Sequence, residues 1–127
     1  MSQATTEGVQ VTVKPAFWPE RSHPQKGQFA FTYTVQISNV GTGTVQLISR
    51  HWVITDAQGN VEEVRGEGVV GKKPQLRAGE QFEYTSWATL KTPFGTMRGT
   101  YLMRKEDGQV FQAKVAEFAL TMPNSLN

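Results

Sequence analysis

The chain has 127 residues, 38% of them hydrophobic and 19% charged, which fits one ordinary globular domain and leaves no room for a second. It has no cysteine and only two histidines, which excludes disulfides, thiol catalysis and zinc–thiolate sites and nearly excludes a multi-histidine metal centre. The formal net charge of +2 is spread along the chain, and the densest basic spots, Lys72–Lys73 and Arg104–Lys105, form no stripe with stacking aromatics, which argues against a nucleic-acid partner.

Val9, Val11 and Val13 alternate with Gln10, Thr12 and Lys14, the period-2 pattern of a half-buried strand. Pro15 and Pro19 are expected to break it, and Ser22 to Gly27 reads as loop. The clearest strand follows, with Phe29, Phe31, Tyr33, Val35 and Ile37 on one face and Ala30, Thr32, Thr34, Gln36 and Ser38 on the other. Asn39 to Thr44 holds two glycines and reads as a hairpin turn. Val45 to Thr55 changes phase part-way, from Val45 and Leu47 to Ile48, Arg50, Trp52 and Ile54, which predicts a β-bulge near Leu47–Ser49.

Asp56-Ala57-Gln58-Gly59-Asn60 is a turn signature, and Val61 to Arg65 returns as a short strand. Gly66 to Arg77 reads as glycine-bearing loop. A strand with Phe82 and Tyr84 inward follows, then a turn at Thr92-Pro93-Phe94-Gly95, then the alternating set Met97, Gly99, Tyr101, Met103. Glu106-Asp107-Gly108 turns into a last strand over Val110 to Met122, whose phase change predicts a second bulge near Ala116–Glu117. About seven short strands with regular turn signals and no helical period predict an all-β, immunoglobulin-like or fibronectin type III-like antiparallel β-sandwich. It is read as one domain over 1–127 with its ordered core at about 9–122. Trp52 is expected in the core, and Tyr101 is a candidate for a tyrosine-corner role.

No apolar run approaches the ~18 residues of a membrane span, so membrane insertion is not expected. Met1 to Gly8 carries Glu7 and lacks a basic patch followed by an apolar stretch, so a cytoplasmic location is expected.

Four patterns bear on chemistry. Gly66-Glu67-Gly68-Val69-Val70-Gly71 matches G-x-G-x-x-G, but Pro74 forbids the helix that a dinucleotide cradle requires. A weaker anion or nucleotide (pyrophosphate) site remains open there, with Gly66, Gly68 and Gly71 supplying amides and Arg65, Lys72 and Lys73 the charge. Ser49, His51 and Asp56 have the residue types of a hydrolytic triad. Ser49 and His51 are two apart on one strand, about 7 Å, which is too far for a Ser–His hydrogen bond. Asp56, Glu62 and Glu67 are candidate hard-oxygen ligands for a divalent metal, with His51 as a possible nitrogen donor. Trp18 and Trp87 are candidate exposed anchors for a partner.

Taken in order, Ser49-Arg50-His51-Trp52, Asp56-x-x-Gly59, Val64-x-Gly66-x-Gly68-Val69-Val70-Gly71, Pro74-x-Leu76-x-x-Gly79-Glu80-x-Phe82-x-Tyr84-Thr85-Ser86 and Thr92-Pro93-x-Gly95-x-Met97-x-Gly99-x-Tyr101 resemble the ApaG (CorD) family from about Val9 to Met122. Trp87-Ala88-Thr89 departs from the smaller Gly-Cys-Pro-like run of many members. The resemblance implies a fibronectin type III-like sandwich with no established enzymatic activity and no cofactor. It also implies a genetic tie to cobalt resistance and magnesium efflux, genes near one for diadenosine tetraphosphate hydrolysis, and a protein-binding role in related F-box proteins.

The resulting expectation is a non-catalytic binding or regulatory module that acts through a protein partner. Its contact face is placed on Arg50, His51, Val69 and Val70 beside the Gly66–Lys73 loop. A small-anion sensor and a direct divalent-metal site are the alternatives.

Overall fold

The computed structural model describes residues 1–123 and is built almost wholly of strands. In chain order these are β1 (Ser2–Thr6), β2 (Val9–Phe17), β3 (Phe29–Asn39), β4 (Val45–Asp56), β5 (Val61–Glu67), β6 (Gln75–Leu76), β7 (Gln81–Leu90), β8 (Phe94–Lys105) and β9 (Val110–Thr121). They form two antiparallel sheets, ordered β1-β2-β3-β7 and β5-β4-β8-β9, with β6 paired to β4. The sheets face each other as an immunoglobulin-like, fibronectin type III-like sandwich.

The alternation explains the layers. Val9, Val11, Val13, Phe31, Val35 and Ile37 of one sheet are almost fully buried, as are Leu47, Met97, Tyr101, Met103, Ala113, Val115 and Leu120 of the other. Trp52 sits at the centre, packed edge-to-face on Tyr33, Tyr101 and Phe118 with ring centroids 5.4–5.9 Å apart. Such pairs add about 0.5–1.5 kcal/mol each beyond area burial. Ile54 and Phe82 are only partly buried against this core.

Both bulges occur. The β4–β8 register slips between Leu47 and Ser49. In β9, Met97 pairs Phe118 while Gly99 pairs Val115, so the extra residue falls at Ala116–Glu117. Each slip rotates the apolar set back inward after the pleat has lost phase.

Four features depart from the sequence reading. β2 runs through Pro15, which pairs Tyr33 beyond the end of β1, where β2 has a neighbour on one side only and tolerates a missing N–H. β1 lies upstream of the expected core and pairs Ser2–Thr6 with Val13–Val9; its polar residues gave no apolar signal. Glu67 and Gly66 belong to β5 rather than to the loop. Tyr101 makes no corner to the backbone, because its hydroxyl hydrogen-bonds the Tyr84 hydroxyl across the two sheets.

Strands β1, β2 and β9 close one side of the sandwich, where the Lys114 N–H donates to Thr6 Oγ1 at 3.1 Å. The other side, between the edges of β5 and β7, stays open.

Candidate functional site

The expected contact segment lies on β4 and on the hairpin that follows β5. Pairing of His51 with Arg65 and Thr100, and of Thr100 with Lys114, sets a cross-strand row Arg65–His51–Thr100–Lys114 on the outer face. His51 Nε2 lies 2.8 Å from Glu63 Oε1, and Arg65 approaches the same oxygen at 3.6 Å. An open groove of about 460 Å³ runs over this face, lined by Ser49, His51, Arg65, Thr100, Leu102 and Gln112 among others.

Arg50 is one residue out of step with this row, in phase with Trp52, so its side chain points inward at the sandwich rim. There it meets Gly66, its register partner. A Cβ on Gly66 would lie 2.7 Å from the guanidinium, so glycine gives Arg50 its seat. The Arg50 Nη1 donates to the carbonyls of Glu67 (3.1 Å) and Gly68 (2.7 Å). Arg50 thus props the segment that follows β5 while remaining half-buried at the edge of the groove.

That segment is a tight hairpin. Val69 and Lys72 exchange both N–H···O bonds at 2.8 Å, leaving Val70 and Gly71 as a two-residue turn. Both have positive φ, 44° and 76°, the pattern of a type I′ turn that favours Asn-Gly. Gly68, at φ 60°, has the Lys72 carbonyl where a Cβ would go, and its N–H donates to Ile48 O at 2.8 Å.

The valine pair splits. Val69 is 1% exposed and belongs to the core, which corrects its assignment to the contact face; Val70 is 60% exposed at the tip. Several donors of the candidate anion loop are committed within the chain. The amides of Gly68, Val69 and Lys72 already donate to carbonyls, and Arg65 and Lys73 each face a carboxylate. Lys73 holds the Glu67 carboxyl below its usual range by hydrogen bonding and charge. No helix follows Gly71.

The metal candidates do not converge. Asp56 closes its own turn: Oδ1 accepts the N–H groups of Gln58 and Asn60 at 2.9 Å, and Oδ2 accepts Asn60 Nδ2 at 3.0 Å, which lowers the Asp56 pKa. Glu62 and Glu67 are five strand residues apart, ~16 Å. Among the described residues no group of three His, Asp or Glu side chains is placed to hold a metal ion. Nor do Ser49, His51 and Asp56 assemble, since His51 bonds Glu63 and Asp56 bonds its own turn. Asp56 and Glu62 do share a cleft of about 330 Å³ between the β5 and β7 edges, with Ile54, Val61, Leu90 and Lys91.

Of the aromatic anchors, Trp18 is half-buried under the Arg21 guanidinium at 5.7 Å, whereas Trp87 is 65% exposed on β7. The Tyr84–Tyr101 contact was not legible beforehand: it joins residues 17 apart on different sheets. Burial drives both hydroxyls far above the ordinary phenol range.

The class is therefore a fibronectin type III-like β-sandwich module with one open side. The ApaG domain model matches residues 19–105, and the chain belongs to the ApaG family. Protein ApaG of Anaeromyxobacter dehalogenans is 57% identical over 127 residues, all of both chains. Protein ApaG of Ralstonia nicotianae is 56% identical over 92% of this chain and 94% of its own. A crystal structure of a Bordetella pertussis protein superposes with TM-score 0.89 at 52% identity, covering 91% of this chain and 94% of that one. Among the described residues no helix is long and apolar enough to cross a membrane.

Proposed function

We propose that the protein is a non-catalytic regulatory module of the cytoplasm that works by binding a protein partner. The link of its family to cobalt resistance and magnesium efflux then runs through that partner rather than through a metal held by this chain. Val70 carries the reading. It is a β-branched residue held at positive φ, where an L side chain is strained by ~1–2 kcal/mol, and it is exposed at the tip of a hairpin that Arg50 braces from below. A turn selected for stability alone takes Asn there. An exposed apolar side chain kept at a stability cost, beside the polar groove of Arg65 and His51, has the make-up of an interface anchor with a polar rim.

The test is photo-crosslinking in cells from a benzophenone amino acid at position 70, with position 109, exposed in the β8–β9 turn, as control. The expected result is one dominant protein adduct from position 70. Equal, diffuse adducts from both positions contradict the proposal.

A further inference from the structure

A sandwich of two open sheets has four edges, and three of them are guarded. β1 is five residues long and tied to β9 through Thr6. β9 is broken by its bulge and carries Lys114 and Glu117. β5 has charges at Glu62, Glu63, Arg65 and Glu67, four of its seven residues. Charge, shortness and bulges are the usual means of keeping another strand from pairing at an edge.

β7 is neither short nor bulged, and it carries a single charge. It is ten residues long, contains no proline and no bulge against β3, and its only charged residue is Glu83. Among the described residues it pairs with β3 alone, so its other edge presents free N–H and C=O groups over ~33 Å. The sheet face beside it carries few charges. Thr32, Thr34, Gln36 and Ser38 of β3 pair with Trp87, Thr85, Glu83 and Gln81 of β7, and Lys14 of β2 lies on the far side of Thr34; Thr34–Thr85 and Gln36–Gln81 are hydrogen-bonded at 2.9 Å. Depletion of charge around one exposed tryptophan is the composition of an interface core.

We infer that the free edge of β7 is a strand-addition site, which takes an extended, basic segment of a protein partner as a fifth strand of the β1-β2-β3-β7 sheet. The inference rests on the protein-binding reading above and adds a second contact surface, with its own mode, to the Val70 hairpin. The backbone dictates an extended occupant, because only another strand satisfies a row of alternating donors and acceptors. Charge complementarity sets its sign. A strand on this edge passes Glu83 and points alternate side chains at the cleft between β7 and β5, where Asp56 and Glu62 outnumber Lys91. The apolar floor there, Ile54, Val61 and Leu90, suits the aliphatic stem of a lysine or arginine. Trp87, on the outer face, covers the segment's opposite side.

The test selects a displayed library of random dodecapeptides against the full chain and titrates the best synthetic peptide into isotope-labelled protein. Expected are peptides rich in lysine or arginine, with shifts confined to β7 and the Ile54–Glu62 cleft. N-methylation of alternate peptide amides, or Trp87→Ala, weakens binding at least tenfold. The double variant Thr85→Lys, Thr89→Lys, at two exposed positions and with an unchanged melting temperature, does the same. Four results overturn the inference: no selected peptide, shifts centred on the 68–72 hairpin, N-methylated peptide binding equally well, or dimerisation of the chain through β7. None of these touches the crosslinking result, so the mode can fail while the binding-module reading stands.

Discussion

Tyr84 and Tyr101 show how one pair of atoms ties the two sheets together. Both rings are buried, and each hydroxyl has the other as its hydrogen-bond partner. Removing one hydroxyl leaves its mate buried and unsatisfied, whereas removing both leaves two apolar rings in contact. Tyr101→Phe and Tyr84→Phe are each expected to cost ~1–3 kcal/mol, and the double variant no more than either alone. Denaturant unfolding of the four proteins measures this coupling. The same burial has a pH consequence. All three tyrosines of the chain, Tyr33, Tyr84 and Tyr101, have raised pKa values, with desolvation as the first cause. A group whose folded pKa is raised contributes stability that is complete below its unfolded pKa, about 10 for a phenol, and lost as pH climbs through the folded value. The protein should therefore hold its stability up to about pH 10 and lose it above. Phenolate absorbance should rise together with unfolding and not before it.

At the scale of the element, the 66–72 hairpin is set by a sequence pattern whose meaning changes once the partners are seen. Glycines at 66 and 68 look like a phosphate loop in the sequence. In the structure Gly66 makes room for the Arg50 guanidinium and Gly68 for the Lys72 carbonyl. Arg50→Ala is expected to cost ~1–2 kcal/mol through the lost bonds to Glu67 O and Gly68 O. Hydrogen exchange should localise the effect, with faster exchange at Gly68 and Lys72 and little change in β3. The bulges at Leu47–Ser49 and Ala116–Glu117 were legible because a change of apolar phase has no other cheap explanation in a strand. β1 was not legible, since Ser2–Thr6 carries no large apolar residue and is a strand only because β2 offers it an edge. Pro15 misled for the converse reason: it is tolerated where β2 has no second neighbour, and that depends on where β1 ends.

For the whole molecule, alternation alone predicted two apolar layers facing each other, because burial of one face per strand admits few other arrangements. The candidate site was half legible. Of the four residues named for the contact face, Val70 is exposed and Arg50 and His51 are half-buried; Val69 is buried, and turn chemistry decided the difference, since a two-residue turn points one of two adjacent valines inward. Which side of the sandwich stays open depends on edge strands whose partners are distant in sequence, so the β7 edge beside Trp87 could not be seen from the residues alone.

Val70 separates stability from function most directly. Val70→Asn gives the turn the residue its φ favours and removes the apolar tip. The measurement is the melting temperature of this variant together with its capture of the protein found by crosslinking at position 70. A module that keeps Val70 for its partner predicts a melting temperature raised by a few degrees, for ~1 kcal/mol of relieved strain, and capture reduced at least tenfold. A variant that is more stable and captures the partner as well as the wild type would contradict the account.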